Sequence, residues 1–416
     1  MRTIRRLSWL LNDRRLAYAR IAGALLWAGW LTSIALGPGK VDLAGQVVGT
    51  DYLEFYAAGT TLRLGESAHL YDVDYQSRLQ GALIGPQLRH YYGFITPPFL
   101  AWLFVPLAGL PYLWSFALWS LLGLLGLWVS LRLLAVAGAR RALLWSLTWF
   151  PVFATISYGQ NSLLSLTLMS LVYRLWHRER PWAAGLVLAL LLYKPQLVVG
   201  VALLWLLQAC VRRRELAALA GLALGGGLLA GLCFWLLPEA SRAYVEFART
   251  VLPDLPDWQE FPLWNLHTVW GFWRLLLPQR HTWADALYWL FTAAGVLGFV
   301  SFWRRFRARP ALLFAGAICL TLLITPHAMI YDWTLLLIPA VLLWQQAPEL
   351  RGDWKALYAL IWIATFVSGP LTHFQLRWLP FAVQISVPVF LLVVCLAYRS
   401  LEAFECRVAE QIPRYE

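Results

Sequence analysis

Hydrophobic positions run along this chain in long blocks, and polar positions fall mostly in short breaks between them. A helix needs roughly 20 apolar residues to cross a bilayer, with about 17 to 25 tolerated. Blocks near that length occupy 16–37, 112–134, 142–157, 161–176, 215–237, 284–303, 310–325, 330–346, 354–370 and 379–398. Two shorter blocks, 181–193 and 195–210, meet at Lys194-Pro195 and predict a hairpin of short helices. The run 97–110 is bracketed by prolines and reads as a re-entrant segment or a complete crossing. The pattern predicts an all-α polytopic membrane protein, a single domain over 1–416 with about 12 transmembrane helices and neither internal repeats nor low-complexity segments.

Orientation follows from Lys and Arg, which are retained on the cytoplasmic side. Arg2, Arg5, Arg6, Arg14, Arg15 and Arg20 precede or enter the first block. Further basic clusters recur at Arg132/Arg140/Arg141, Arg174/Arg178/Arg180, Arg212/Arg213/Arg214, Arg304/Arg305/Arg307/Arg309, Arg351/Lys355 and Arg399/Arg407/Arg414. Twelve crossings put all of them on one face, with both termini cytoplasmic. The first block is too long for a signal h-region and no small-residue cleavage site follows it, so it is expected to stay as a helix. The other face then carries two long loops, 38–96 and 238–283, and the turns 157–161, 193–196 and 325–332. Loops of that length tend to be functional, and most polar residues without a topological task gather on this face.

Composition supports the bilayer as solvent. Hydrophobic residues make up 60% of the chain and charged ones 13%, against about a quarter charged in soluble domains. The 25 tryptophans suit ring anchoring at the headgroup level. The formal charge of +12 is spread over topological clusters with no basic stripe, so no nucleic-acid partner is expected. Five widely spaced cysteines without a C-x-x-C pair predict neither a disulfide framework nor structural zinc. There is no P-loop, and the run Gly221-Leu222-Ala223-Leu224-Gly225-Gly226-Gly227 sits inside an apolar block, where small residues serve helix packing. Without H-E-x-x-H or a cysteine cluster, no metal or other cofactor is expected; carboxylates for a cation would have to come from Asp51, Glu54 or Asp332.

Candidate chemistry begins in the first loop. Tyr52, Phe55, Tyr56, Gly59 and Leu62 fall at helical spacing and predict an amphipathic helix lying along the membrane surface. Asp51 and Glu54 at its start read either as a capping box or, for Asp51, as a general base toward an incoming hydroxyl. Lys194, between two apolar helices, needs a partner or the interface; it either snorkels or meets a lipid-linked phosphate. Gln160 and Asn161 either cap the helix that follows or bind ligand. His327 follows Pro326, with Tyr331 and Asp332 one turn on, and reads as a structural hydrogen-bonding group or a site residue.

Several spaced segments together resemble glycosyltransferase family 87, the polyprenyl-phosphate-mannose-dependent mannosyltransferases of the GT-C class. They are Asp51-Tyr52 with Tyr56-Ala57-Ala58-Gly59, Gly65, Leu70-Tyr71-Asp72, Thr96-Pro97-Pro98, Pro106-Leu107-Ala108 and Leu110-Pro111. Gly159-Gln160-Asn161, Gly185, Lys194-Pro195, Asn265, Gly271, Pro326-His327 and Tyr331-Asp332 continue the series. The resemblance implies a GT-C-like bundle and a transferase in the cell membrane with an extracytoplasmic active site. It implies Asp51 as catalytic base and His327 near the donor phosphate. His267 departs from the expected small hydroxyl residue.

Where no nucleotide sugar is supplied, the donor is a sugar already on a polyprenyl phosphate and the acceptor a lipid or glycan. Charge building on the departing phosphate needs cationic or hydrogen-bonding support, for which Lys194, His327, Gln160 and Asn161 are the candidates. Glu54, Tyr56, Tyr71, Asp72, Asn265, His267, Tyr331 and Asp332 are candidates for sugar and acceptor hydroxyls, and Trp258, Trp264 and Trp270 for stacking on a glycan. The protein is read as a monomer in contact with membrane lipids. Two rival functions share the topology. A lipid-linked oligosaccharide ligase or polymerase would concentrate its chemistry in one large late loop. A transporter or flippase would show repeated halves with polar groups at mid-membrane.

Overall fold

The structure, a computed structural model, describes residues 11–258 and 261–410; Arg2, Arg5, Arg6 and Arg414 of the topological clusters lie outside them. It is helical, and among the described residues the only β pairings are two isolated bridges, Val41 with Val47 and Leu266 with Met329. In chain order the helices are α1 (Asp13–Leu36), α2 (Tyr52–Arg63), α3 (Val73–Ile84), α4 (Phe99–Phe104), α5 (Tyr112–Leu133) and α6 (Ala139–Leu147). They continue with α7 (Phe150–Tyr158), α8 (Ser162–His177), α9 (Pro181–Ala189), α10 (Val199–Ala209), α11 (Leu216–Leu236) and α12 (Pro238–Thr250). The last are α13 (Val269–Leu276), α14 (His281–Phe306), α15 (Pro310–Ile324), α16 (Leu337–Gln346), α17 (Arg351–Trp378) and α18 (Ser386–Glu410).

Six of these are long and apolar enough to span a membrane by themselves: α1, α5, α11, α14, α17 and α18, some with a preceding 3-10 turn. The chain is a polytopic membrane protein, and the expected dozen crossings is not established. The shortfall has a local cause. Apolar blocks near the polar turns are cut into pieces by prolines and glycines. The block 142–157 breaks at Thr148 and Trp149, ahead of Pro151, into α6 and α7. The block 330–346 opens as a 3-10 helix, Ile330–Leu336, before α16. The run 97–110 is no complete crossing, because α4 has six residues, about 9 Å at 1.5 Å per residue.

A second correction concerns α2. Tyr52, Leu53, Phe55, Tyr56, Ala57, Ala58, Gly59 and Thr61 are buried, on nearly every side of the helix, so α2 is an interior element and does not lie on the membrane surface. Phe55 stacks on Phe104 of α4 at 4.9 Å between centroids. A Cβ on Gly59 would stand 2.5 Å from the Phe104 carbonyl oxygen. The alternation that suggested an amphipathic face arises because tyrosine, alanine and glycine fill the polar-looking positions and pack as well as the phenylalanines do.

Close helix crossings explain the glycines read as packing residues. In α9 and α11, a Cβ on Gly185 would fall 2.0 Å from the Ala218 carbonyl oxygen, and one on Gly221 2.4 Å from that of Trp182. Gly200 lets α10 approach α15, where its N–H donates to Thr321 Oγ1 at 3.1 Å. Such contacts drive association where hydrophobic burial cannot distinguish helix from lipid. Their effect is to bring the ends of α7, α8, α10 and α15 together at one end of the bundle.

Candidate functional site

Three turns and the start of α2 converge there. The first turn ends α7 at Gly159, in the left-handed region at φ 71°, a conformation open to glycine at no steric cost. A Cβ at this position would also strike Tyr52 Cβ at 2.4 Å. Trp119 Nε1 donates to the Gly159 carbonyl at 2.9 Å. The turn is thus pressed against the residue following Asp51, and Gln160 Nε2 donates to Asp51 Oδ2 at 2.9 Å. Asp51 makes no side-chain cap bond to α2, so the capping-box reading of Asp51 and Glu54 does not hold.

The second turn carries Lys194 between 3-10 segments Leu190–Tyr193 and Pro195–Leu197. Its ammonium does not snorkel. It is 8% exposed and donates to Asp332 Oδ1 at 2.7 Å and to Ser162 Oγ at 3.3 Å. Ser162 Oγ donates to the same Asp332 oxygen at 2.6 Å. The other Asp332 oxygen accepts from the Met329 N–H at 3.2 Å. Lys194 Nζ also sits 5.0 Å from the centroid of the Tyr331 ring, and Tyr158 meets that ring edge-on at 6.3 Å. Thr155 Oγ1 donates to the Tyr331 carbonyl at 3.3 Å.

The third turn, 325–332, bears His327. Its backbone carbonyl accepts from Gln196 Nε2 at 3.2 Å, and its ring packs on Phe261 at 5.8 Å. The second long loop is stitched to this turn by the bridge between Leu266 and Met329 and by the His267 N–H donating to the Ala328 carbonyl at 2.9 Å.

Burial sets the electrostatics. It raises the Asp51 carboxyl to about 6; hydrogen bonds from Gln160 and Thr50 and the Lys194 charge oppose the rise, while Asp332 adds to it. Burial, followed by the neighbouring Asp51, holds the Glu54 carboxyl well above its usual range. Both carboxyls are thus raised by burial, Asp51 to about 6 and Glu54 well above its usual range, and neighbouring carboxyls in differing environments are where acid and base roles can divide. Burial depresses the His327 imidazole to about 4, with Asp332 and Lys194 acting in opposite senses, so it is neutral at physiological pH.

Asp51, Glu54, Gln160, Lys194, His327, Tyr331 and Asp332 thus share one neighbourhood. Between them, Asn161 is fully buried, caps nothing with its side chain, and has neither amide atom hydrogen-bonded among the described residues. Other candidates are engaged in structural tasks. Tyr56 donates to the Leu110 carbonyl at 2.8 Å and Tyr71 to that of Thr96 at 2.7 Å. Asp72 caps α3 through the Tyr75 N–H and binds His69 Nδ1 at 3.0 Å. Asn265 Nδ2 faces Met329 Sδ at 3.6 Å, and His267 Nδ1 shares a 2.6 Å hydrogen bond with Ser386 Oγ. These bonds occupy several of the polar atoms that sugar binding would draw on, whereas His267 Nε2 is buried with no hydrogen-bond partner among the described residues. Of the loop tryptophans, Trp270 is held by Asp285 and Arg274, Trp264 lies edge-on to His373, and Trp258 is exposed.

Residues 94–326, more than half of the chain, match glycosyltransferase family 87. The chain belongs to that family. No curated protein and no solved structure matches it significantly. The protein is therefore a membrane glycosyltransferase. The family 87 match contains Gln160, Asn161 and Lys194; Asp51 and Glu54 precede it, while His327, Tyr331 and Asp332 follow it, and the fold joins all three groups. Sequence reasoning missed Ser162, the hydroxyl linking Lys194 to Asp332. Its one sequence signal is its place directly after Gly159-Gln160-Asn161. Tyr92, whose phenol is raised to about 12 by burial and by the Asp51 charge, was also passed over, being one aromatic among many.

Proposed function

We propose that this family 87 transferase moves a hexose, with mannose the first candidate, from a polyprenyl-phosphate donor to a hydroxyl of a lipid or glycan acceptor on the extracytoplasmic face, with inversion. In this reading the fold is a GT-C bundle in the cell membrane with both termini cytoplasmic. Asp51 takes the proton of the acceptor hydroxyl. The freed oxygen bonds to the anomeric carbon from the face opposite the phosphate, and the anomeric C–O bond breaks as polyprenyl phosphate leaves with the electron pair.

The observation that carries the proposal is the Asp51 carboxyl, raised to about 6 and tied by Gln160 to the turn whose next residues reach the Lys194–Asp332 pair. A base is most effective when its pKa lies near the working pH. An ammonium has three N–H donors; two of those on Lys194 meet Asp332 and Ser162, leaving one for a phosphate oxygen. Neutral His327 contributes a hydrogen bond and no charge. The unpartnered amide of Asn161 supplies further donor and acceptor capacity for the sugar phosphate.

The test is incubation of purified protein with radiolabelled polyprenyl-phosphate mannose and a panel of lipid and glycan acceptors. Transfer of label that disappears in Asp51→Asn supports the proposal. Label drawn only from lipid-linked oligosaccharides would move the chain to the ligase class.

A further inference from the structure

A cavity of about 2170 Å³ lies apart from the Asp51 cluster, between α1, α6, α14, α15, α16, α17 and α18. Most of its wall is apolar, with Gly298, Cys319, Leu320, Leu337 and Val394 among the lining residues. Small-molecule pockets hold roughly 300–1,000 Å³, so this space is about twice the upper end of that range.

Its charged residues lie at helix ends. Arg15, Arg141, Arg351, Lys355 and Arg399 line it, against Asp13 and Glu402. Arg141, Arg351, Lys355 and Arg399 are exposed and form no ion pair among the described residues. Arg351 and Lys355 both lie over the Trp344 ring, at 5.1 and 5.9 Å from its centroid. Chain direction puts these cations at the end of the bundle away from Asp51. Arg141 stands at the start of α6, which leads through α7 to Gly159. Starting beyond Asp332, α16 runs toward Arg351. Likewise α18 runs from Ser386, bonded to His267, toward Arg399.

We infer that this cavity binds a two-chain anionic phospholipid, acyl chains between the helices and headgroup among Arg141, Arg351, Lys355 and Arg399. Basic pockets between transmembrane helices suit anionic headgroups, and indole under a cation suits the headgroup level. The headgroup sits a helix length from Asp51, so the occupant is not the sugar donor. The site is therefore independent of the reaction proposed above. Its volume exceeds what a single short chain fills, and the excess of positive charge selects against zwitterionic lipids.

The test uses purified, delipidated full-length protein and native mass spectrometry with phosphatidylglycerol, phosphatidylcholine or a polyprenyl phosphate added singly, and inorganic phosphate as competitor. Phosphatidylglycerol is expected to be retained at least tenfold better than phosphatidylcholine. The triple variant Arg351→Gln, Lys355→Gln, Arg399→Gln should lose affinity on the order of 100-fold, at about fivefold per basic residue. Gly298→Leu should also displace the lipid with the cations intact, because a Cβ there meets no atom within 4 Å and the side chain enters the cavity. Equal retention of the two phospholipids, an unaffected triple variant, preference for polyprenyl phosphate, or full competition by inorganic phosphate would each overturn the assignment.

Discussion

Asp51→Asn separates chemistry from folding more sharply than any other single change in this site. The amide keeps the shape of the carboxylate and can still accept from Gln160 Nε2, now 2.9 Å from Asp51 Oδ2, but it cannot take a proton. Loss of a positioned base lowers turnover by about 10²- to 10⁴-fold. Stability should move the other way. The carboxyl rises from 3.8 to about 6, roughly two pKa units at 1.36 kcal/mol each, or at most about 3 kcal/mol, since the side chain is only partly screened from solvent. The folded state holds this proton more tightly than the unfolded one. Wild-type stability from this group is therefore complete below about pH 4 and is lost as pH rises through about 6. The Asn variant has no such loss, so its advantage should be absent near pH 4, grow toward pH 6 and then level off. Thermal unfolding in detergent from pH 4 to 8 measures the stability, and transfer from radiolabelled polyprenyl-phosphate mannose measures the rate. A gain of a few degrees at pH 7 with turnover abolished is the expected pair. An Asn variant that is less stable at pH 7, or that retains turnover, refutes the role given to this carboxylate.

Four further outcomes follow from the same geometry. Gln160→Leu removes a hydrogen bond that lowers the Asp51 pKa, so the acid limb of the rate profile should move upward from about pH 6; an unmoved limb would mean Gln160 does not act through Asp51. In His327→Gln the acid limb should stay in place, because His327 titrates only near 4; its disappearance would make the imidazole the titrating group. Lys194→Ala leaves Asp332 charged and 1% exposed, and should destabilise by about 3–5 kcal/mol. The double variant with Asp332→Asn should recover much of that stability while transfer stays impaired, as melting curves and the apparent donor affinity would show. Gly159→Ala forces a left-handed φ on alanine, about 1–2 kcal/mol, and a clash with Tyr52. It should lower both melting temperature and turnover, and a fully active, stable variant would mean the turn is not pressed against Asp51.

Much of this was legible in the residues alone. A bilayer demands satisfied backbone groups and apolar surfaces, so the helical membrane class follows from block length, and polar residues without a topological task stand out against it. That contrast singled out Asp51, Gln160, Lys194, His327 and Asp332 before any coordinates. Local propensity also favours Asp72 as the helix cap it forms, and the sequence does not separate that use from sugar binding because both employ the same carboxylate.

The tertiary structure alone decided the pairings. Lys194 and Asp332 are 138 positions apart, and only the close crossings of α9 with α11 and α10 with α15 bring their turns together; no local signal encodes that meeting. The burial of α2 on nearly every side was likewise beyond the pattern, since tyrosine, alanine and glycine suit an interface and an interior equally well. Residue type sets which solvent a segment tolerates and how its backbone turns. Which distant groups share a low-dielectric space, and hence which carboxyls are raised above their usual range, depends on how the helices pack.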